Sequence, residues 1–384
     1  MRSSDSPLLG GLTPAQFMRR HWQKSPRLVR QAIPDFAGII DRKALFELAG
    51  RDEVESRLVM RGPGRKADWT LEHGPFRAAD FRSLPATHWT LLVQGIDQHV
   101  EAGAALLQRF SFIPFARVDD LMISYAVPGG GVGPHFDSYD VFLLQGPGRR
   151  QWQTSDQQDL RLQPDAPLKI LSHFKPTQRS ELDPGDMLYL PPSIAHDGVA
   201  LTECMTYSIG FRAPTAREVT DAFLQFLPDT LSLADARYSD PDLIATTHPA
   251  RIGAPMQRRL ATSLRAIRWS PATIAQFTGC MLSEPKNGVF FDRPESPLSA
   301  GRFAQAVRAA GSVRLDRRTR MLYDNDHIFI NGEVLAASAD HPSLVALADA
   351  RRVRVDDTLP ASTLEFLHRE YLNGALHVGS VGEP

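Results

Sequence analysis

Cysteine is almost absent: Cys204 and Cys280 are the only two in 384 residues. Two thiols cannot frame a small disulfide-built domain, and they cannot supply a cysteine-based zinc site. An excess of either charge is also missing. Lys plus Arg number 43 against 44 for Asp plus Glu, a formal charge of −1. That balance removes the electrostatic footprint of a dedicated nucleic-acid binder. No apolar run reaches about 18 residues, the length that crosses a bilayer. The opening MRSSDSPLLGGLTPAQF lacks the apolar core of a secretory leader. The expected address is therefore a reducing cytoplasm, with both thiols free. No internal repeat or low-complexity tract is evident. What remains is an ordinary globular composition, 42% hydrophobic and 23% charged, long enough for two or three domains.

Periodicity divides the chain into stretches of different texture. The first 110 residues mix helix and strand. Thr13-Pro14 reads as the cap and first residue of a helix carrying Phe17 and Met18. Asp41 caps a second, with Ala44, Leu45 and Leu48 on one face and Gly50 as its stop. Strands are expected at 56–60, 68–72 and 88–93, then one helix through Ile96, Val100, Ala104 and Leu107. From Leu121 to Arg212, short runs such as LMISYAV, YDVFLLQ, RRQWQTS and MTYSIGF alternate with Gly/Pro punctuation. Strands at that spacing predict an all-β sandwich or barrel, here a cupin-like jelly roll, the double-stranded β-helix. At Thr215 the pattern turns helical. Thr215 to Glu218 is a capping box ahead of Val219, Ala222, Phe223 and Phe226. Further helices are expected at 256–267 and from Ser270-Pro271. From Ser283 a small module of helix, strands and an Asn331-Gly332 hairpin has winged-helix texture. The expected fold class is α+β, divided at 1–214, 215–282 and 283–384.

The chemistry concentrates in Gly133-Pro134-His135-Phe136-Asp137. On a strand, residues two apart point to one face. An imidazole and a carboxylate on one face, joined by a second His from a later strand, make the facial triad of non-haem iron(II) oxygenases. His196 stands 61 residues after His135, behind the turn-and-strand LDPGDMLYL. A lone His-x-Asp is common by chance. Its place after a Gly-rich turn in a β-rich segment, with His196 at a fitting distance, favours the metal. His173, in a polar loop, is the competing ligand; His73, His88 and His99 read as surface or core histidines. Iron is favoured over zinc, because three N/N/O ligands leave octahedral positions open.

After the turn Gly146-Pro147-Gly148 a returning strand carries Arg149 and Arg150. Neighbours on a strand face opposite ways, so one of the two can enter the barrel and grip a dicarboxylate as a fork. The alternative is that both are solvated edge-strand charges.

VPGGGVGPHFDSYDVFLLQGPGRRQW followed by LDPGDMLYLPPSIAH resembles the JmjC-type, cupin-fold 2-oxoglutarate oxygenases. Within them the likeness is to the bacterial ribosomal oxygenases, which hydroxylate an arginine of large-subunit ribosomal protein sixteen. It extends from HWQKSPRLVR at 21–30 through the helical and winged-helix-like C-terminal half. The resemblance implies His135, Asp137 and His196 as ligands of Fe(II), with 2-oxoglutarate as cosubstrate and dioxygen as oxidant. It places the residue for the cosubstrate's far carboxylate fifteen positions after the first His, on Arg150. Ser124, Tyr125 and Ser208 are weaker candidates for cosubstrate contacts, and Asp140 and Asp197 for holding a substrate arginine. It further implies a homodimer formed through the helices of 215–282, and a ribosomal protein as partner. Direct nucleic-acid binding is not expected, since 12 Lys/Arg face 13 Asp/Glu from Pro285 onward despite the cluster Arg314, Arg317, Arg318, Arg320. The rivals are a small-molecule oxygenase on the same core and a non-enzymatic cupin sensor fused to a DNA-binding winged helix.

Overall fold

A strand packed on both faces has no room for solvated side chains, and in Asp140–Gln145 all six residues are buried. The computed structural model describes residues 7–62, 69–231, 237–286, 288–335, 342–355 and 359–379. Of the expected strand and hairpin residues, Asp68 and Ala336 lie outside that set. The chain divides into two compact units: Met1–Ala213 with Asn287–Phe291 and Asp316–Arg318, and the remainder from Pro214 onward.

The first unit carries β1 (Arg27–Val29), β2 (Ser56–Arg61), β3 (Trp69–His73), β4 (Trp89–Val93), β5 (Val118–Ala126), β6 (Asp140–Gln145), β7 (Arg150–Ser155), β8 (Gln178–Leu182), β9 (Met187–Leu190), β10 (Ala195–Ala200) and β11 (Cys204–Phe211). Eight of them pair in the order β1-β9-β6-β11-β5-β4-β2-β3, and β10-β7-β8 form a smaller sheet. The pairs are antiparallel throughout. Alternation along β6 sorts its side chains between two cores. Phe142 and Leu144 join the large cluster of Phe17, Phe110, Tyr189 and Phe211. Val141 and Leu143 turn the other way, to Trp152, Leu182, Leu188 and Leu190 inside the barrel. The helices flanking the large sheet start where their caps direct. Thr13 and Gln16 close a capping box on Pro14–Arg20, which buries Phe17. The Asp41 carboxylate accepts from the Ala44 N–H and opens Arg42–Leu48, which buries Leu45 and Leu48.

The single helix expected through Ile96 and Leu107 is two. Ile96–His99 ends at Val100, whose φ of −125° and ψ of 123° are extended, and Glu101–Gln108 begins there. The Asp97 carboxylate accepts from the Leu121 N–H at 2.8 Å, so the first turn is tied to β5. Side-chain periodicity carries no sign of that tether.

In the second unit, helices cover Ala216–Thr230, Ala254–Ala266 and Pro271–Ser283. The Thr215–Glu218 capping box is formed, and a second box joins Ser270 to Thr273. Beyond them lie β12 (Ser312–Leu315), β13 (Met321–Tyr323), β14 (Ile328–Ile330), β15 (Glu333–Leu335), β16 (Arg352–Arg354) and β17 (Leu376–Val378). They make two three-stranded sheets, β16-β12-β17 and β13-β14-β15. Helices Ala300–Ala310, Pro342–Ala350 and Ala361–Leu372 share one core with them, built on Phe303, Val307, Ile330, Leu347 and Leu367. The β14–β15 turn uses Asn331 and Gly332 at φ of 50° and 88°, the left-handed pair that a two-residue hairpin needs. No described helix is long and apolar enough to cross a membrane.

Candidate metal centre

Between β5 and β6 the chain does not form the regular strand expected around His135 and Asp137. Only His135 pairs, in an isolated bridge to His196 of β10. The two backbones exchange N–H···O bonds of 2.9 and 2.8 Å. Two residues on, Asp137 is held differently: its carbonyl accepts from the Ser193 N–H at 2.8 Å. Ser193, at φ 66°, belongs to the turn leading into β10. Two backbone ties thus do what strand pairing alone was expected to do. Ligand atoms of His135, Asp137 and His196 all lie within 4.8 Å of one another. The imidazole centroids are 4.2 Å apart, and His196 Nε2 is 3.6 Å from Asp137 Oδ2.

Hydrogen bonds fix the chemistry of both rings. His135 Nδ1 lies 2.8 Å from the Gly133 carbonyl and His196 Nδ1 2.8 Å from the Ile194 carbonyl. A carbonyl can only accept, so each Nδ1 carries a proton and Nε2 is the nitrogen left to ligate. Burial, with His135 close by, lowers the His196 pKa to about 4, so that ring is neutral at pH 7. Two imidazole Nε2 atoms and a carboxylate converging at one point can hold a divalent metal.

These residues line a cavity of about 400 Å³. Arg150 lines it too, and is 4% exposed. Its Nη1 donates to Ser124 Oγ at 3.0 Å, while its Nε and Nη2 have no partner. A buried guanidinium with one two-pronged edge unmet fits an anionic ligand. Arg149 is half exposed and pairs with Glu181 at 3.8 Å. Ser124 and Ser208 also line the cavity. Tyr125, next to Ser124, faces away into the large core against Phe46 and Trp89.

Other candidates lie elsewhere. His173 is exposed and pairs with Asp159 at 3.5 Å. His73, His88 and His99 do not line the cavity. Asp140, expected to hold a substrate arginine, is fully buried under the large sheet. It accepts from Tyr189 Oη at 2.6 Å, Gln23 Nε2 at 2.9 Å and Arg117 Nη2 at 3.3 Å. Asp197 follows His196 on β10 and so faces the opposite side, a neighbouring cavity it lines with Arg61 and Trp69. Burial raises its pKa.

Sequence reasoning passed over Thr90, Tyr139, Lys169 and Trp152, all of which line the cavity. Trp152 was within reach: it stands two after Arg150 on β7 and shares its face. Its ring lies 5.8 Å from that of His196, under the Arg150 guanidinium at 5.7 Å. A Cβ on Gly198 would come within 2.6 Å of the indole, so the ring needs a glycine opposite it.

Comparison with known proteins gives the same region a context. A family model described as JmjC domain matches residues 105–219, and one described as ROXA-like winged helix matches 266–373. The ribosomal protein uL16 3-hydroxylase of Escherichia coli (strain K12) is 37% identical over 333 residues, covering 86% of this chain and 87% of that protein. A probable ribosomal oxygenase of Haemophilus influenzae is 37% identical over 224 residues, covering 58% of this chain and 55% of its own. Among solved structures, the E. coli ribosomal oxygenase YcfD in complex with cobalt and 2-oxoglutarate superposes with a TM-score of 0.79. It is 34% identical and covers 95% of this chain and 98% of that one.

Proposed function

This chain belongs to the ribosomal oxygenases, JmjC-fold 2-oxoglutarate oxygenases, and from that premise we propose that it hydroxylates a large-subunit ribosomal protein, the uL16 counterpart, on an arginine side chain. The observation that carries the reading is the shared cavity. Three convergent N/N/O ligand atoms and a buried guanidinium with a free edge line the same space. In this reading His135, Asp137 and His196 hold Fe(II), Arg150 receives the far carboxylate of 2-oxoglutarate, and Ser124 and Ser208 line its slot. Bound there, iron with its cosubstrate and dioxygen supplies the oxidising power for hydroxylating an unactivated carbon. The chain's own residues supply ligation, orientation and dryness. Nδ1–H bonds to backbone carbonyls aim both Nε2 atoms. The Ser124 contact holds Arg150 in place. The apolar Val141, Leu143 and Trp152 keep water from the wall between.

We further assign 1–214 to the oxygenase domain, 215–282 to a helical dimerisation region and 283–384 to a winged-helix-like domain. Leu260 and Leu264, one turn apart on helix Ala254–Ala266, are 49% and 68% exposed, and Leu224 is 58% exposed. An apolar face of that kind on a helix suits a second copy of the chain. The direct test of function is a mass spectrum of ribosomal proteins from cells with and without this chain. A gain of one oxygen on an arginine of the uL16 counterpart, present only with the chain, is the expected result. Identical spectra would overturn the reading.

A further inference from the structure

A valine would fill the Thr90 position of β4 at no polar cost. The residue there is a threonine, 1% exposed, and its hydroxyl has no hydrogen-bond partner. A buried hydroxyl left unbonded costs roughly 1–3 kcal/mol. Thr90 lines the cavity that holds the metal ligands and Arg150. Its place in the sheet relates it to Arg150. On the β4–β5 pair, Thr90 is opposite Ala126 and Leu92 is opposite Ser124. Thr90 and Ser124 are therefore diagonal neighbours on one face, a separation that side chains and a shared ligand bridge. Ser124 is the residue to which Arg150 Nη1 donates, at 3.0 Å. The guanidinium's remaining edge, Nε–H with Nη2–H, is the unmet one. One region of the wall thus presents three donors without acceptors: two prongs of a buried cation and one hydroxyl. A carboxylate has enough lone pairs to accept from all three.

We propose that Thr90 is a second anchor for the far carboxylate of the cosubstrate, its hydroxyl donating to the same group that the free edge of Arg150 holds. The inference rests on the proposed 2-oxoglutarate dependence and adds a residue outside the metal and Arg150 motifs. It also assigns a task to β4, which precedes the segment where those motifs lie: this strand helps select the length and charge of the oxo acid.

The test is calorimetric titration of the full chain loaded with manganese(II), without turnover. Two ligands are compared: 2-oxoglutarate, and 2-oxopentanoate, which has the same carbon count and no far carboxylate. Thr90→Val should weaken 2-oxoglutarate by about tenfold or more, the equivalent of one hydrogen bond to a charged group. It should leave 2-oxopentanoate unchanged, and Thr90→Ser should restore most of the loss. Should valine disturb folding, Thr90→Ala makes the same comparison. Undiminished 2-oxoglutarate affinity in the valine variant would overturn the proposal, as would equal losses for both ligands. Failure of the unsubstituted protein to bind 2-oxoglutarate would be a different result. It would overturn the proposed function itself, and this inference with it.

Discussion

Arg150 and Arg149 are chemically identical and adjacent, yet one is 4% exposed and the other has a half-exposed side chain. Their substitution should separate them. Hydrogen bonds to charged groups contribute roughly 1.5–3 kcal/mol each. Loss of two such bonds in Arg150→Ala implies a fall of about a hundredfold or more in 2-oxoglutarate affinity. Arg150→Lys should recover part, because an ammonium is a point charge and not a fork. Arg149→Ala should shift affinity by less than about threefold, as surface charges do. The apparent Michaelis constant for 2-oxoglutarate reads all three. If Arg149 proves the damaging position, the cosubstrate assignment is wrong. At the metal, Asp137→Ala should abolish turnover and weaken iron retention, checked by succinate release and elemental analysis, since a three-ligand site has no spare. Asp140→Ala should behave oppositely. It strips the acceptor from Tyr189, Gln23 and Arg117 in a buried network. It should therefore cost about 3 kcal/mol in denaturant unfolding. A change in cosubstrate affinity without that loss would return Asp140 to the functional site.

Strands carry these side chains, and the pairing of β10 with β7 is the critical contact. Gly198 is opposite Trp152 in register, and the indole lies across it. Gly198→Ala would push the ring off its seat between Arg150 and His196. The expected outcome is a loss of about 1–3 kcal/mol in stability together with weaker metal and cosubstrate binding. Unaltered thermal unfolding would show that the sheet absorbs a methyl there. Much of this level was legible beforehand, because caps and turns are local. Thr13, Asp41, Thr215 and Ser270 each open the helix they announce, and Asn331-Gly332 turns the hairpin. What stayed hidden depends on partners far along the chain. The pairing of Arg27 with Tyr189 adds β1 to the sheet edge. The Asp97–Leu121 tether breaks a helix that periodicity draws as continuous. Asp137 meets its partners from outside any regular strand, through Ser193. Thr90 belongs to no motif, and only the folded cavity brings it beside Ser124.

Across the whole molecule, the exposed apolar residues of the helical region make assembly the property to measure. Leu260→Glu with Leu264→Glu should convert a dimer to a monomer in sedimentation while leaving 2-oxoglutarate binding intact. A monomer before substitution would remove the dimer from the proposal. The basic cluster near the C-terminal module is not a bare patch. Arg317 pairs with Glu101 at 3.0 Å and Arg318 with Asp316 at 2.8 Å. No salt-dependent association with DNA is accordingly expected. The unmet edge of Arg150 reaches further than catalysis. A cation taken out of water with two of its three nitrogens idle is a debt against folding, so the ligand-free protein is less stable than its core permits. Occupancy and melting temperature are then thermodynamically linked. At a hundred times its dissociation constant, a ligand of the native state adds about 2.7 kcal/mol. For a unit of this size that raises the melting point by roughly 5–10 °C. Arg150→Met should melt higher than the unsubstituted protein when both are empty, and should gain much less from 2-oxoglutarate. By the same linkage, the fraction of chains folded at a given temperature becomes a gauge of the free oxo-acid concentration around them.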